Sequence, residues 1–326
     1  MARVLTGVQS TGTPHLGNLL GAILPAIELS KASADESFLF IADLHSLTQI
    51  KEGATLRDNT RATAAAWLAC GLDTEKTVFY RQSDVSQTTE LAWYLSCYFP
   101  YQRLTLAHSF KDKAGRLSDV NAGLFSYPML MAADILLYDA EVVPVGKDQL
   151  QHLEMTRDVA TRFNNQMGET FVLPQASVQK EAQYIPGTDG QKMSKSYNNT
   201  IPIFTEEKAL LKMVRKIKTN SLEPGVPKDP DTCSVFKLYK AFASKSETED
   251  LELRYRAGIG WGDAKNILFE RLNADLRPLR ENYKEIIDDR AKLETTLEEG
   301  AIKARGIASK LIEDVRHAVG IQSFVN

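Results

Sequence analysis

The sequence predicts an α/β protein: a Rossmann-like, doubly wound parallel sheet followed by an α-helical domain. Three observations carry this reading. Short β-rich runs alternate with helix-like segments through about the first 165 residues, the pattern of strand–helix–strand crossovers. Phe38-Leu39-Phe40-Ile41-Ala42 is a continuous apolar run, as a strand buried on both faces requires. From about Ser234 onward the pattern is almost entirely helical.

The elements follow in order. Val4 to Val8 is a first strand, followed by a Gly/Pro loop and an apolar helix from about Leu16 to Ser30. The run at 38–42 is the second strand, and Leu56 to Cys70 is an Ala-rich helix that stops at Gly71. Val78-Phe79-Tyr80 and Glu141 to Val145 are further strands, with an apolar helix around Tyr127–Tyr138 between them. Gln149 to Phe163 has helical periodicity. Sheets of this kind bind ligands where loops leave the carboxyl ends of the strands. A basic helix at 206–219, a Pro/Asp-rich connection (Ser221 to Thr232) and the break Gly258 to Gly262, with Asp263 as the next N-cap, lead into the helical part. We expect a catalytic domain over residues 1–200 and a helical domain over 201–326.

Composition narrows the class. With 326 residues, 43% hydrophobic and 25% charged, the chain is a globular one with room for a large core. A formal net charge of −3 advertises no polyanion partner, so any nucleic-acid contact must come from a local basic patch. Cys70, Cys97 and Cys233 are far apart and form no CxxC pair, so neither a disulfide framework nor a metal site is expected. The chain opens on a strand-like run instead of a charged and then apolar leader. It holds no apolar stretch long enough to span a membrane, and the expected location is the cytoplasm.

Lys192-Met193-Ser194-Lys195-Ser196 is the most informative segment. Two ammonium groups three positions apart follow the turn-rich Pro186-Gly187-Thr188-Asp189-Gly190. Such a pair on a hinged loop can close over a polyphosphate and neutralise charge as it breaks. The first strand-to-helix turn, Thr6 to Asn18, carries glycines at 7, 12 and 17 and a helix start that offers free N–H groups to an anion. Gly17 in the first helical turn costs about 1 kcal/mol against Ala, which a flat base lying on the backbone would explain. An ordinary loop with Thr13 as cap and Pro14 at the first helical position is the plainer alternative.

Asp134 stands in the middle of the apolar run Tyr127 to Tyr138. A buried carboxylate costs several kcal/mol unless something donates to it. It is either a core Asp paired with an Arg or a cap, or a ligand-binding carboxylate at the bottom of an apolar pocket. Met131, one helical turn earlier, can pack on an aromatic ring, and a polarisable wall with one acceptor suits an indole. In Val143 to His152, Asp148 and Gln151 make a capping box, and the same loop is where ribose hydroxyls meet a carboxylate. His45 leaves a buried strand at its carboxyl end, where pocket lining and a structural role are about equally expected. Lys208, Lys212, Arg215, Lys216 and Lys218 make a basic helix, more simply a solvated face than a phosphate contact.

Over nearly its whole length the chain resembles the bacterial-type tryptophanyl-tRNA synthetases, class I aminoacyl-tRNA synthetases. The blocks that carry the resemblance are Gly7 to Gly12, Leu130 to Leu136, Val145 to His152, Lys192 to Ser196 and Gly260-Trp261-Gly262-Asp263. His15-Leu16-Gly17-Asn18 is similar to the first family signature, HIGH, with Asn18 in place of its last His. The resemblance implies ATP, with Mg²⁺, at Gln9, Ser10, Thr11, His15, Gly17, Asn18, Gly146, Lys147, Asp148, Ile185 and the loop Lys192, Met193, Ser194, Lys195, Ser196. It implies tryptophan at Asp134, Met131, Tyr127, His45, Val143, Val145, Gln149 and Gly7. Lys192 and Lys195 match the pyrophosphate-binding lysines, helped by Lys113. The family further implies tRNA(Trp) as substrate, an anticodon-binding role for the helical domain, and a homodimer.

The departures are His15 where Thr is common, His108-Ser109-Phe110 where Thr-Gln-Phe is common, and an unusual run Gly187 to Gln191. A tyrosyl-specific enzyme shares the fold and the lysine loop, and a non-translational paralogue that binds adenylates or RNA is the reading from another class.

Overall fold

The computed structural model describes residues 2–32, 36–107, 120–178 and 185–324. Five strands form one sheet: β1 (Arg3–Gln9), β2 (Glu36–Ala42), β3 (Thr77–Arg81), β4 (Val142–Val145) and β5 (Gln175–Val178). Their order is β3-β2-β1-β4-β5 and every pairing is parallel. The chain therefore winds outward from β1 in one direction, then returns and winds outward in the other. The crevice at the switch point opens between the carboxyl ends of β1 and β4. The doubly wound sheet read from the sequence is the observed architecture, and β5 is the strand the sequence pattern did not announce.

The first crossover begins with α1 (Leu16–Asn18), passes through a π-helical turn at Leu19–Ile23 and continues as α2 (Leu24–Ala32). Its cap is His15, not Thr13. The reason is tertiary: Leu16 N donates to the Ile201 carbonyl and Ile203 N to the Pro14 carbonyl, so residues 14 and 15 are held extended by the chain beyond the lysine loop. Next come α3 (Asp43–Ser46), α4 (Gly53–Ala69), α5 (Gln87–Tyr98), α6 (Tyr101–Leu104), α7 (Ala122–Leu136) and α8 (Leu150–Met167). Helix α8 is capped at Gln149 after a 3₁₀ turn over Lys147–Gln149. Gln151 gives its amide Nε2 to the Leu106 carbonyl, and the Asp148 side chain of the expected capping box lies outside what is described.

Alternate residues of β2 feed two cores, as the pleat demands. Phe38 and Phe40 join the face packed by α5, α7 and α8, while Leu39 and Ile41 join the opposite face with Leu16, Leu19 and Trp67. The carboxyl-terminal part is helical: α9 (Glu207–Arg215), α10 (Ser234–Lys240), α11 (Lys245–Arg256), α12 (Trp261–Asp288) and α13 (Arg290–Ala318). Helix α12 starts at Trp261 with Gly260 as cap. Asp263 thus lies inside the first turn, three residues beyond the cap it was expected to be, and there complements the helix dipole.

Helix α13 runs back along the sheet. A Cβ on Gly300 would stand 1.8 Å from the Phe79 carbonyl oxygen, so only glycine lets the helix touch β3 there. Ion pairs fix the two ends of this contact: Arg81 with Glu294, and Arg316 with both oxygens of Glu90 at 2.7 Å.

Candidate active site

A cavity of about 290 Å³ opens at the switch point, small among ligand pockets. Gly7 and Gln9 line it from β1, His45 from α3, and Tyr127, Met131 and Asp134 from α7. Val143, Val145, Gly146 and Gln149 close it from β4 and the turn that follows. Glycine is required at position 7, because a Cβ there would meet the Phe40 ring at 2.6 Å. Most of the lining is aliphatic or aromatic, with Gln9, His45 and Gln149 among it, and Asp134 is only 3% exposed.

Among the described residues Asp134 has two hydrogen-bond partners, neither of them an arginine. His45 Nε2 lies 2.8 Å from Oδ2. Gln82 donates its Nε2 to Oδ1 at 2.8 Å and to Oδ2 at 3.0 Å. Burial pushes the Asp134 carboxyl above the usual carboxylate range, and the His45 and Gln82 hydrogen bonds oppose that shift. Tyr127 packs tilted against the His45 ring, at 4.5 Å between centroids and 57° between planes. His45 Nδ1 is buried with no hydrogen-bond partner among the described residues. Gln82 was not singled out in the sequence, although a polar residue directly after β3 stands where such sheets place ligand-facing groups.

The nucleotide-side residues form a second layer around the first turn. Ser10 is fully buried, donates its N–H to Ser46 Oγ at 3.2 Å and accepts from Thr60 Oγ1 at 3.0 Å. It is therefore a scaffold for the loop. Gly12 adopts a positive φ of 78°, which carries the chain around the turn. Lys195 donates Nζ to the Thr11 carbonyl, so the lysine loop already rests on that turn. Asn18 accepts from the His15 N–H at 3.1 Å and keeps an exposed amide. Gly17 has a local reason of its own, since a Cβ would meet the His15 ring at 3.0 Å and Met193 Cβ at 3.7 Å. Burial, aided by the Lys195 charge, lowers the His15 pKa to about 4, so its imidazole is neutral at physiological pH. Burial also lowers the Lys195 pKa.

The loop itself is held by Asn199, which is 2% exposed. Asn199 Oδ1 accepts from Ser194 N at 2.8 Å, and its Nδ2 donates to the Lys192 carbonyl and to Asp189 Oδ1. The Ile185 carbonyl accepts from Met193 N at 2.9 Å, which places Met193 in the core and leaves Lys192 and Ser196 exposed. Lys147 is exposed in the turn after β4, and only the backbone of Asp148 is described. Lys113, His108, Ser109 and Phe110 lie outside the described residues.

An apolar slot ending in one hydrogen-bonded carboxylate, beside a Gly-rich turn latched by a lysine, can hold a flat aromatic donor next to a phosphate. Residues 1–277 match the family described as class I tRNA synthetases, W and Y. The chain belongs to that family.

Relatives agree over the full length. The tryptophan–tRNA ligase of Neisseria meningitidis is 46% identical over 98% of this chain and 98% of its own. That of Xanthomonas campestris is 49% identical over 98% of this chain and 77% of its own. Among solved structures, the tryptophanyl-tRNA synthetase of Campylobacter jejuni, complexed with ADP and tryptophan, superposes with a TM-score of 0.94. It shows 45% identity and covers 98% of this chain and 99% of its own. The tyrosyl-tRNA synthetase of Archaeoglobus fulgidus shares the fold at a TM-score of 0.65 and 19% identity. Among the described residues no helix is long and apolar enough to cross a membrane.

Proposed function

We infer that this chain is a tryptophan–tRNA ligase. It activates L-tryptophan with ATP and transfers the activated group to the 3′ end of tRNA(Trp). The observation that carries the reading is Asp134, a single hydrogen-bonded carboxylate in an apolar slot at the sheet's switch point, in a family whose full-length relatives are tryptophan–tRNA ligases.

The chemistry needs no protein nucleophile. A tryptophan carboxylate oxygen attacks the α-phosphorus of ATP in line, the bond to the β-phosphate bridging oxygen breaks, and pyrophosphate leaves. A terminal ribose hydroxyl of tRNA then attacks the acyl carbon of tryptophanyl-adenylate, and AMP leaves. Indole is held between Tyr127, Met131, Val143 and Val145, with its N–H on Asp134. Gln149 and Gln9 face the amino-acid end. Adenosine lies along Gly17, Asn18, Gly146 to Asp148 and the Ile185 backbone. Lys192, Lys195 and Lys113 neutralise the departing pyrophosphate, with Mg²⁺ arriving on the nucleotide as part of the substrate.

We assign residues 1–200 to catalysis and 201–326 to the tRNA anticodon arm. The enzyme acts in the cytoplasm as a homodimer. Trp93 (69%), Tyr101 (66%) and Leu106 (54%) are exposed large apolar groups of the kind a partner subunit would cover. ATP–pyrophosphate exchange across all twenty amino acids tests the reading. Exchange confined to tryptophan supports it, and exchange with tyrosine instead overturns it. Exchange without charging of tRNA would identify the non-translational paralogue.

A further inference from the structure

Gln82 is 1% exposed and makes no contact that the reaction as described uses. Its carbonyl Oε1 accepts from Leu44 N at 3.1 Å and His45 N at 3.4 Å. Those two donors fix which end of the amide is oxygen, and so the amino group must face Asp134. Asp134 Oδ2 then receives two donors, from His45 and Gln82, whereas Oδ1 receives one. A carboxylate oxygen can accept two hydrogen bonds, so Oδ1 is the oxygen with a position left for a ligand N–H.

The turn that carries Gln82 is tied down on both sides. Ser83 donates N–H and Oγ to Asp43, at the start of the helix that carries His45. Arg81 and Asp84 pair with each other at 2.8 Å, and both are gripped by α13 through Glu294 and Arg305. Gln82 therefore has little freedom to turn away.

We propose that Gln82 is the positioning residue that sets amino-acid specificity: it turns Asp134 so that Oδ1 alone offers an acceptor to the indole N–H. The inference rests on the tryptophan reading of the slot and extends it to a residue that does not touch the substrate.

Gln82→Glu tests it. The new carboxylate still accepts from Leu44 and His45 N–H, but when ionised it has no donor for Asp134 and sets a like charge beside it. When protonated it regains one O–H donor. The groups facing this site are His45 and Asp43 from α3, Tyr80 from β3 and Tyr138 just after α7. All are shared by wild type and variant, so the ratio of their KM values for tryptophan isolates position 82.

In pyrophosphate exchange we expect that ratio to be about 100 near pH 8.5 and to fall toward about 10 near pH 5.5, with the KM for ATP within about twofold. Gln82→Met, of similar volume and without a titratable group, should raise the tryptophan KM by a pH-independent factor. It should also narrow discrimination against phenylalanine. If circular dichroism shows Gln82→Glu unfolded, the Met variant decides through the same tryptophan-against-ATP split. A tryptophan KM equal to wild type at every pH, or parallel losses for tryptophan and ATP, overturns the proposal while leaving the functional reading in place. A wild-type enzyme that exchanges no pyrophosphate with tryptophan overturns both.

Discussion

His45 Nε2 lies 2.8 Å from Asp134 Oδ2, joining the end of β2 to the last turn of α7 inside the pocket wall. The contact answers the question an aspartate in an apolar helix poses, since its partner is a side chain from another strand end and not an arginine. It also leaves Oδ1, on a residue that lines the cavity, with only the Gln82 donor. A site whose buried acceptor is left unpaired by the wrong ligand rejects that ligand by large factors, up to about four or five decades in the best cases. Asp134→Ala should therefore reduce the tryptophan-to-phenylalanine ratio of kcat/KM in exchange by at least about 100-fold. A ratio unchanged within threefold would remove Asp134 from the specificity site.

Lys195 rests its ammonium on the Thr11 carbonyl, at the rim of the nucleotide turn and away from the slot. Its role falls on charge that develops as pyrophosphate leaves. Lys195→Ala should lower the rate of adenylate formation by about 100- to 1,000-fold, the usual loss for one transition-state donor. Tryptophan affinity, followed by equilibrium dialysis, should stay within about threefold. Equal losses in rate and affinity would assign the residue to ground-state binding.

His15 gives a prediction in pH. Its folded pKa of about 4 lies below the unfolded value of 6.5. The unfolded chain takes up a proton in that interval and the folded chain does not. The stabilising effect of the neutral ring is thus complete above pH 6.5 and is lost as pH falls toward 4, by at most about 1.4 kcal/mol per pH unit. Urea unfolding of wild type and His15→Gln across that window checks this. The variant should show the shallower decline, and identical slopes would place His15 in contact with solvent.

Gly300 predicts where the two parts of the chain cannot separate by even a methyl group. Gly300→Ala sets a Cβ against the Phe79 backbone, which has no rotamer by which to yield. We expect destabilisation of about 3 kcal/mol or more, seen in denaturant unfolding. Gly306→Ala on the same helix, where nothing lies within 4 Å, should be neutral or slightly stabilising. Equal effects at both positions would mean that α13 does not press on β3.

The parallel sheet was legible because β2 is apolar at every position from Phe38 to Ala42, a pattern a strand with one wet face does not show. Helix boundaries were less legible. The start at Leu16 depends on Ile201 and Ile203, and the start at Trp261 precedes the Asp that local pattern favours. The helix start at Leu16 was legible, but the cap at His15 comes from partners far along the chain, which no local rule contains.

The site divides along the same line. By itself the sequence determined the fold class and the residue types with chemistry in them: the lysine pair, the Gly-rich first turn and an aspartate where an apolar helix should have none. Only the tertiary structure decided which groups meet. It brought Gln82 and His45 to Asp134 from two strand ends, laid Lys195 on Thr11, and folded α13 back onto Phe79. The reason is physical. Residue type and period are local properties, whereas a hydrogen-bond partner for a buried charge is supplied by whichever strand end the winding of the sheet carries beside it.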